Sequence, residues 1–184
     1  MNKLIVIDMQ NAWLSDPATP RLDAAAVVER INAAAACVRK QGGEVIYIQH
    51  VDDHATEDSH GWQIIASLNV AGSDSRINKR ACDSFAGTCL EEMLDIARLD
   101  TLYVCGLATE FCVDTTIRAA ASRALNIVVL SDAHTTSDRP HMDAASIIAH
   151  HNWVWSNMAV PAGTTLAVKT TAQAFPSNVA SGIL

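Results

Sequence analysis

Short apolar runs alternate with amphipathic segments along the chain, and this alternation predicts the fold. The apolar runs are rich in branched side chains, which is typical of strands that are buried on both faces of a sheet. The segments between them carry apolar side chains three or four positions apart, which predicts helices with one buried face. We therefore predict an α/β fold with three layers (α/β/α) and a mostly parallel, doubly wound sheet of about six strands.

The individual elements follow from the same pattern. We predict strands at residues 3–7, 45–48, 76–80, 102–105, 127–130 and 165–168, and residues 153–155 are a further strand candidate. We predict helices at residues 23–40, 88–97, 110–123 and 142–151, and a short helix or turn at residues 62–68. From about residue 156 onward, the chain shows no clear pattern apart from the strand at 165–168. No internal repeat or linker interrupts residues 1–184, which we interpret as one domain.

The composition excludes several classes of protein. Of the 184 residues, 49% are hydrophobic and only 18% are charged, which indicates a compact globular chain. The net charge of −7 argues against a nucleic acid or an anionic membrane as a partner. No apolar run reaches the roughly 18 residues that are needed to span a bilayer. The apolar N-terminal run ends at Asp8 without a small-residue cleavage site, so we expect no signal peptide.

The five cysteines indicate free thiols rather than disulfides. Their number is odd and no CxxC pair is present, which favours a reducing compartment, and we expect a cytoplasmic protein. Cys37, Cys89 and Cys105 lie inside helix or strand patterns, as expected of small buried hydrophobic side chains. Cys112 differs, because it lies where a predicted strand gives way to a predicted helix.

The start of that helix makes Cys112 a candidate nucleophile. Thr109 is a suitable N-cap, which makes Cys112 the third helical residue, with an N–H that lacks an intrahelical partner. A thiol at this end of a helix lies in the positive part of the helix dipole, which stabilises the thiolate. We therefore expect Cys112 to be ionised at neutral pH, and to combine a nucleophile with an anion-binding N–H.

Three more polar side chains follow predicted strands, at the edge where open parallel sheets collect their functional groups. Asp8 ends the first strand and is a candidate acid or base, or alternatively a turn former or helix cap. His50 follows the second strand, and Lys79 lies in the third. Lys79 belongs to a site only if it points inward and pairs with a carboxylate or a thiolate. The alternative is a solvent-exposed lysine, with Arg80 as the competing cation.

The polar loop after the second strand allows two interpretations. Asp52, His54 and His60 could bind a divalent metal through their carboxylate and imidazole groups. We prefer a solvated loop over the site, because these ligand types often coincide by chance in a mobile loop. We accordingly predict neither a metal nor a cofactor.

Three motifs together resemble the isochorismatase-like cysteine hydrolases. They are Asp8 at the end of the first strand, Lys79 before a CDSF loop, and Cys112 within GLATEFCVDTT. The resemblance extends from residue 4 to about residue 155. It implies a catalytic triad of Asp8, Lys79 and Cys112. It also implies a cis peptide bond between Leu107 and Ala108, and an oxyanion hole formed by the N–H groups of Ala108 and Cys112.

Two departures narrow the activity that this resemblance implies. Isochorismatases with this fold lack the cysteine, so Cys112 argues against cleavage of a vinyl ether. Nicotinamidases carry a metal-binding Asp-x-His after strand two, whereas this chain has His50 and Asp52, with the residue types exchanged. The chain thus looks closer to the metal-free branch, which includes a streptothricin hydrolase.

The predicted function is hydrolysis of a C–N amide-type bond in a small molecule, through a thioester on Cys112. The alternatives are a metal-dependent amidase like the nicotinamidases and an idle fold that acts as an interaction protein. A nucleotide-binding module is not expected, since no GxGxxG follows a strand. Candidate pocket residues are Trp13, His50, Trp62, Phe85 and Phe111. The alanine-rich segments 23–40 and 119–124 indicate a homodimer or larger homo-oligomer, as the resemblance also suggests.

Overall fold

A single parallel sheet with the strand order β3-β2-β1-β4-β5-β6 forms the centre of the protein. The computed structural model describes residues 1–176. Its strands are β1 (Asn2–Ile7), β2 (Glu44–His50), β3 (Ser75–Lys79), β4 (Thr101–Leu107), β5 (Ile127–Thr135) and β6 (Leu166–Lys169). Its helices are α1 (Asn11–Leu14), α2 (Ala24–Lys40), α3 (Leu90–Leu94), α4 (Asp114–Ser122), α5 (Ala144–Asn157) and α6 (Thr171–Ala174), with a 3₁₀ turn at Ile96–Arg98 and a π-helical turn at Thr109–Val113. In this part of the chain, no helix combines the length and the apolarity that crossing a membrane requires.

The order of the strands reverses at β1, and this reversal determines where a site can form. The chain moves outward from β1 through β2 to β3, and then crosses to β4 on the other side of β1. The connections that leave β1 and β4 run towards opposite sides of the sheet. Such a pair of adjacent strands has a crevice at its carboxyl ends. Asp8 follows β1 at this crevice, and Ala108 follows β4.

Alternate residues of the strands pack against helices on opposite faces of the sheet. Leu4 and Val6 of β1 pack in the core that includes α2. Ile5 and Ile7 pack in the second core, which includes residues of α4 and Trp155 of α5. A strand that is buried on both faces has no polar side, which explains its continuous apolar run. The predicted three-layer α/β fold is thereby confirmed.

Residues 153–155 are helical, which corrects their prediction as a possible strand. They lie in α5, where Trp155 is fully buried and Trp153 is 66% exposed. Ile147 and Trp155 lie about two helical turns apart and face the core as one stripe. Aromatic and β-branched side chains favour strands locally, but here the helical spacing of the buried positions decides the structure.

Several boundaries also differ from those predicted. The helix predicted at 88–97 is divided into α3 and the 3₁₀ turn by Asp95, whose φ is +48°. β5 continues beyond residue 130 through Ser131 and Asp132. The predicted strand ended too early because these polar side chains interrupt the apolar pattern, although the backbone stays extended. The strand predicted at 165–168 is confirmed as β6, and α6 follows it in the part that we called unpatterned. Residues 177–184 of that tail lie outside the described residues.

Candidate active site

Asp8, Lys79 and Cys112 meet at the carboxyl edge of the sheet. Asp8 follows β1 directly, Lys79 is the last residue of β3, and Cys112 lies in the π-helical turn after β4. All three residues are buried, with exposed fractions of 3%, 1% and 8%. Arg80, the competing cation, is exposed to solvent. The fold therefore brings together the three residues that were predicted as catalytic.

The Lys79 ammonium group is the centre of this cluster. Its Nζ lies 2.8 Å from Asp8 Oδ2 and 3.1 Å from Cys112 Sγ. It also lies 3.0 Å from His50 Nδ1 and donates to the carbonyl oxygen of Ala81 at 3.1 Å. An ammonium group has three protons to donate among these four partners, so not all four contacts are hydrogen bonds at the same time. Burial lowers the pKa of Lys79, but Asp8 and Cys112 outweigh it and raise that pKa above its usual value, so the lysine stays charged.

One oxygen of the Asp8 carboxylate is left without a partner. Oδ2 is bound to Lys79, while Oδ1 is buried and has no hydrogen-bond partner in residues 1–176. Ligand atoms of Asp8, His50 and Cys112 all lie within 4.8 Å of one another. A buried carboxylate oxygen is costly without a donor, and the Cys112 thiol is the donor at hand. Asp8 Oδ1 is therefore the carboxylate oxygen that is available, within residues 1–176, to accept a further hydrogen bond.

Burial governs the ionisation of Asp8 and Cys112. It raises the pKa of Asp8 above its usual value, and Lys79 and the thiol offset this only in part. Burial, together with the negative charge of Asp8, also raises the pKa of the Cys112 thiol, although Lys79 opposes the rise. The expectation that Cys112 is ionised at neutral pH is therefore wrong. The carboxylate and the thiol influence each other's pKa and titrate as a coupled pair.

The turn after β4 presents a free backbone N–H beside the thiol. The turn Thr109–Val113 is π-helical, and no side chain caps it, so the prediction of Thr109 as N-cap is wrong. The carbonyl oxygen of Ala108 accepts two N–H groups of the turn, at 3.1 Å and 3.2 Å. The N–H of Ala108 itself finds no backbone acceptor within the described part of the chain. The peptide bond between Leu107 and Ala108 is cis.

A buried chain of hydrogen bonds supports this turn from behind. Asn152 Nδ2 donates to the carbonyl oxygen of Ser131 at 3.1 Å, so Asn152 Oδ1 is the atom that accepts from His134 Nε2 at 3.1 Å. His134 Nδ1 then accepts from the Thr109 hydroxyl at 2.8 Å. In this chain of contacts, His134 Nε2 must donate and His134 Nδ1 must accept. His134 is therefore assigned as the neutral tautomer with its proton on Nε2. No pattern in the sequence indicates this support, since a histidine within an extended run has no distinctive signal.

Acid is expected to destabilise the protein through His134. Burial lowers the pKa of His134 to about 4, whereas the usual value is 6.5. Because the unfolded chain binds the proton first, the free energy of unfolding falls as the pH drops from 6.5 towards 4. The loss from this residue is about 3 kcal/mol, which urea unfolding at pH 7.5 and near pH 4 measures.

Two histidine variants provide the comparison. His134→Gln should reduce the difference between the two pH values, because the group that titrates is removed. His150→Gln on the exposed side of α5 should leave the difference unchanged. An equally large difference in the His134→Gln protein would show that other groups carry the acid sensitivity.

A cavity of about 290 Å³ opens at Cys112. Its wall includes Asp8, Trp13, His50 and Phe111, so three of the five predicted pocket residues lie on it. The rings of Trp13 and His50 meet edge to face, with 6.3 Å between their centroids. Ligand sites typically measure about 300–1,000 Å³, so this cavity suits a small molecule.

Trp62 and Phe85 do not line this cavity, which corrects their prediction as pocket residues. Trp62 borders a separate hollow, and its Nε1 donates to Asn78 Oδ1 at 3.1 Å. Phe85 is only 6% exposed and lies in the core, with the Arg123 guanidinium 4.3 Å from its ring centroid. The Phe85 ring packs in the apolar core, which is the alternative role of aromatic residues in loops.

Asp52, His54 and His60 do not form a group with metal-ligand spacing within residues 1–176. Asp52 Oδ1 instead accepts the backbone N–H groups of His54 and Ala55, at 2.8 Å and 2.9 Å. Such a carboxylate-to-backbone contact closes a tight turn. His54 and His60 are exposed. The structure therefore favours a structural role for this loop.

Metal-ligand spacing occurs instead in the group of Asp8, His50 and Cys112. Lys79 Nζ contacts one ligand atom of each of these residues, at 2.8 Å, 3.0 Å and 3.1 Å. The ammonium group therefore occupies the point at which a cation would bind and supplies its positive charge.

Two arginines on the cavity wall were not predicted from the sequence. Arg21 comes from the segment after α1, and Arg139 comes from the segment after β5. Cys82 and Leu107 also contribute to the wall. Arg139 follows the carboxyl end of a parallel strand, and this position is a signal that could have identified it. Arg21 has no comparable signal, because it follows a short helix that has no pattern of its own.

The fold and the site define a doubly wound α/β protein with a cysteine, a carboxylate and a lysine where the strand order reverses. A family model described as the isochorismatase domain matches residues 2–175. The chain therefore belongs to the isochorismatase family.

Similar proteins agree with this assignment. A streptothricin hydrolase from Streptomyces noursei is 33% identical over 141 residues, which cover 74% of this chain and 50% of that protein. A ureidoacrylate amidohydrolase from Cronobacter sakazakii is 26% identical over 182 residues, with 78% of each chain covered. A crystal structure of an isochorismatase family protein matches with a TM-score of 0.83 and 30% identity, and covers 92% of this chain and 98% of that chain. The chain spans about half the length of the streptothricin hydrolases that it matches.

Proposed function

We propose that the protein hydrolyses a C–N amide-type bond of a small molecule through a thioester on Cys112. One observation carries the proposal: Lys79 holds both Asp8 and the Cys112 thiol, while Asp8 Oδ1 is left without a partner. An amide is a poor electrophile, and covalent catalysis divides its hydrolysis into two easier steps. The name of one relative, a ureidoacrylate amidohydrolase, supports this type of bond.

Acylation is the first step. Asp8 takes the thiol proton, and Cys112 Sγ attacks the carbonyl carbon, so that a C–S bond forms and negative charge develops on the carbonyl oxygen. We assign the N–H groups of Ala108 and Cys112 as donors to this oxygen. One donor of this kind typically contributes about 2.7–4 kcal/mol to the transition state. Lys79 remains charged throughout and stabilises the negative charge as it moves between Asp8 and the sulfur.

Release of the amine and hydrolysis of the thioester complete the cycle. The C–N bond breaks, and protonated Asp8 gives its proton to the departing nitrogen, which leaves as ammonia or an amine. Asp8 then removes a proton from water as the water attacks the thioester carbonyl. The C–S bond breaks, the proton returns to Cys112, and the acid product leaves. The sum is one amide and one water converted to one acid and one amine.

A panel of small amides and ureides tests the class of reaction. At least one member should release ammonia with the wild-type protein and not with the Cys112→Ser protein. No release from any member would favour the alternative of an idle fold that acts as an interaction protein. A rate that is lost on dialysis against a chelator and restored by zinc or manganese would favour the metal-dependent alternative.

Asp8 is expected to suppress alkylation of Cys112 in the resting protein. Burial and the charge of Asp8 raise the pKa of the thiol, so iodoacetamide should label Cys112 slowly at pH 7 and faster only above the usual thiol range near 8.5. Asp8→Asn removes a negative charge and should move the labelling profile down by about 1–3 pH units. Lys79→Met should move it up. The mass of the Cys112 peptide at each pH measures both shifts.

A surface variant provides the control for this profile. Asp95→Asn removes a half-exposed carboxylate that pairs with Arg98 at the surface, and should leave the labelling profile in place. Turnover should be lost in both Asp8→Asn and Lys79→Met. A wild-type profile in Asp8→Asn would mean that Asp8 is not the partner of the thiol.

Assembly into a homo-oligomer stays a prediction. Ala34 and Ala35 of α2 are buried in the chain's own core, and so are Ala120 and Ala121 of α4. These alanines serve packing within the chain. A partner would therefore contact the outer positions of α2, such as Ala33.

A further inference from the structure

Two arginine side chains line the cavity at Cys112 and have no role in the chemistry proposed above. Arg21 and Arg139 come from separate segments of the chain. Both guanidinium groups are charged under ordinary conditions. A cavity that presents two cations selects what binds in it by charge.

The two cations have one carboxylate between them. Arg139 Nε donates to Glu110 Oε1 at 2.6 Å, which makes an ion pair. Arg21 has no carboxylate within ion-pair distance in residues 1–176. Its Nε donates to the carbonyl oxygen of Trp13 at 3.0 Å, and its Nη1 donates to the Ser137 hydroxyl. In the described residues, the Arg21 guanidinium at the cavity wall therefore has no carboxylate in direct contact.

The surroundings of Arg21 favour a bound anion. Burial and the nearby charge of Arg139 lower the pKa of Arg21, and Glu110 and Asp16 offset this only in part. A cation that is withdrawn from water and repelled by a neighbour is stabilised most by an added negative charge. Arg21 lies on the cavity wall, so such a charge can reach it through the cavity.

The other carboxylates on the wall are already engaged. Asp8 is paired with Lys79 at 2.8 Å. Asp52 accepts two backbone N–H groups of its own loop, and its other oxygen lies 3.8 Å from His50 Nε2. Neither carboxylate makes an ion pair with Arg21 in the described residues. Within residues 1–176, no carboxylate therefore serves as a direct partner of Arg21.

The two guanidinium groups are held in place before any ligand binds. Arg21 is fixed through two of its three nitrogens, which leaves Nη2 without an acceptor in residues 1–176. Arg139 donates from Nη2 to Thr136 Oγ1 at 3.1 Å, and its Cζ lies 5.2 Å from the centroid of the Phe111 ring. A planar guanidinium held in this way matches the two oxygens of a carboxylate, and the ordering cost of binding is reduced.

We propose that Arg21, assisted by Arg139, forms a subsite for a carboxylate group of the substrate. This rests on the proposed function, and it makes the substrate a small amide or ureide that is itself an acid. The scissile carbonyl then lies at Cys112 and the carboxylate at Arg21, and the rings of Trp13 and Phe111 line the same cavity. A volume of about 290 Å³ restricts the distance between the two groups to a short spacer.

Protection of Cys112 from alkylation tests the subsite without any turnover. Succinate should slow the labelling of Cys112 by iodoacetamide at pH 9 in the wild-type protein, whereas butane-1,4-diol should not. Arg21→Met should need about 10- to 100-fold more succinate for the same protection, because a charge-assisted hydrogen bond is lost. Arg21→Lys keeps the positive charge but loses the paired donors of the guanidinium group. It should need a succinate concentration between those of the wild type and Arg21→Met.

The matched control removes a positive charge elsewhere. Arg98, whose side chain is 82% exposed, lies away from the cavity wall, and Arg98→Met should be protected like the wild type. Equal protection in Arg21→Met and the wild type overturns the subsite. Absence of wild-type protection by succinate, propionate and acetate also overturns it.

Substrate preference separates failure of the subsite from failure of the proposed reaction. Wild-type protein should hydrolyse succinamate with a kcat/KM at least about tenfold above that of butanamide, and this ratio should fall towards one in Arg21→Met. Protection by succinate without hydrolysis of either amide would support the subsite and count against the reaction. Hydrolysis without preference for the acid, together with absent protection, would support the reaction and overturn the subsite.

Discussion

Replacement of Cys112 by serine is expected to remove nearly all hydrolysis while the fold stays intact. A serine hydroxyl is a far weaker acid than a thiol, so Asp8 cannot generate the attacking anion at neutral pH. Loss of the nucleophile in hydrolases of this type costs about 10⁴-fold or more in kcat. The Cys112 sulfur accepts a hydrogen bond from Lys79 Nζ at 3.1 Å, and a serine oxygen can accept the same bond. The thermal midpoint should therefore change little. Ammonia release and thermal unfolding measure the two effects.

A second cysteine on the same cavity wall provides the control. Cys82 is exposed and lines the cavity, and Cys82→Ser should keep the activity of the wild-type protein. Activity above about a tenth of the wild-type value in Cys112→Ser would contradict the role of Cys112. Loss of activity in Cys82→Ser but not in Cys112→Ser would identify Cys82 as the nucleophile.

Gly106→Ala is expected to prevent folding under conditions in which the wild-type protein is stable. Gly106 has a φ of +120°, and a Cβ at this position would clash with the carbonyl oxygen of Ile7 and would lie 2.6 Å from the nitrogen of Ile7. Both contacts are with the backbone of β1, directly before Asp8, so no side chain can move aside. A cost above about 4 kcal/mol is expected, which is a large part of the stability of an ordinary domain. Urea unfolding followed by circular dichroism measures it.

A variant at Gly87 measures the cost of an unfavourable φ without a backbone clash. Its φ is +67°, and a Cβ at Gly87 would meet no atom within 4 Å. Gly87→Ala should therefore cost only about 1–2 kcal/mol, which is the penalty of the left-handed conformation. Equal losses in the two variants would show that the contact between β1 and β4 at Gly106 is less close than described.

The relative placement of Asp8 and Lys79 could be predicted because strands of a parallel sheet end at one edge. Asp8 follows β1, His50 ends β2 and Lys79 ends β3. β1 and β2 are visible in the sequence as apolar runs, whereas β3 contains one apolar residue, Ile77. Once the strands pair in register, these side chains have few positions to occupy. The inward direction of Lys79 could not be predicted in this way. It depends on Asp8 and Cys112, which are 71 and 33 residues distant in the sequence.

The cavity wall could not be predicted, because loops supply most of it. Arg21 is held by Trp13 and Ser137, and its contact with Ser137 joins residues 116 positions apart. No local pattern specifies which way such a side chain turns. The same reason explains Trp62 and Phe85, whose aromatic character suggested a pocket although their packing partners lie elsewhere.

The charge state of Cys112 was inferred from a helix start that the structure does not contain. The predicted dipole argument needs a regular first turn, whereas residues Thr109–Val113 form a π-helical turn. Burial and the neighbouring carboxylate act in the opposite direction and raise the pKa of the thiol. Sequence alone does not provide burial at a single position, so the sign of the shift could not be obtained from it.

The measurement that tests the central proposal most directly is detection of the acyl group on Cys112 during turnover. The protein reacts with an amide that the panel identifies as a substrate, and samples are quenched in acid at successive times. The protein is then digested, and the masses of its peptides are measured by mass spectrometry. The Cys112 peptide should carry the mass of the acyl portion, and a parallel reaction with hydroxylamine should yield the hydroxamate. Complete conversion to products with an unmodified Cys112 peptide at every time, and with no hydroxamate, would contradict a thioester mechanism.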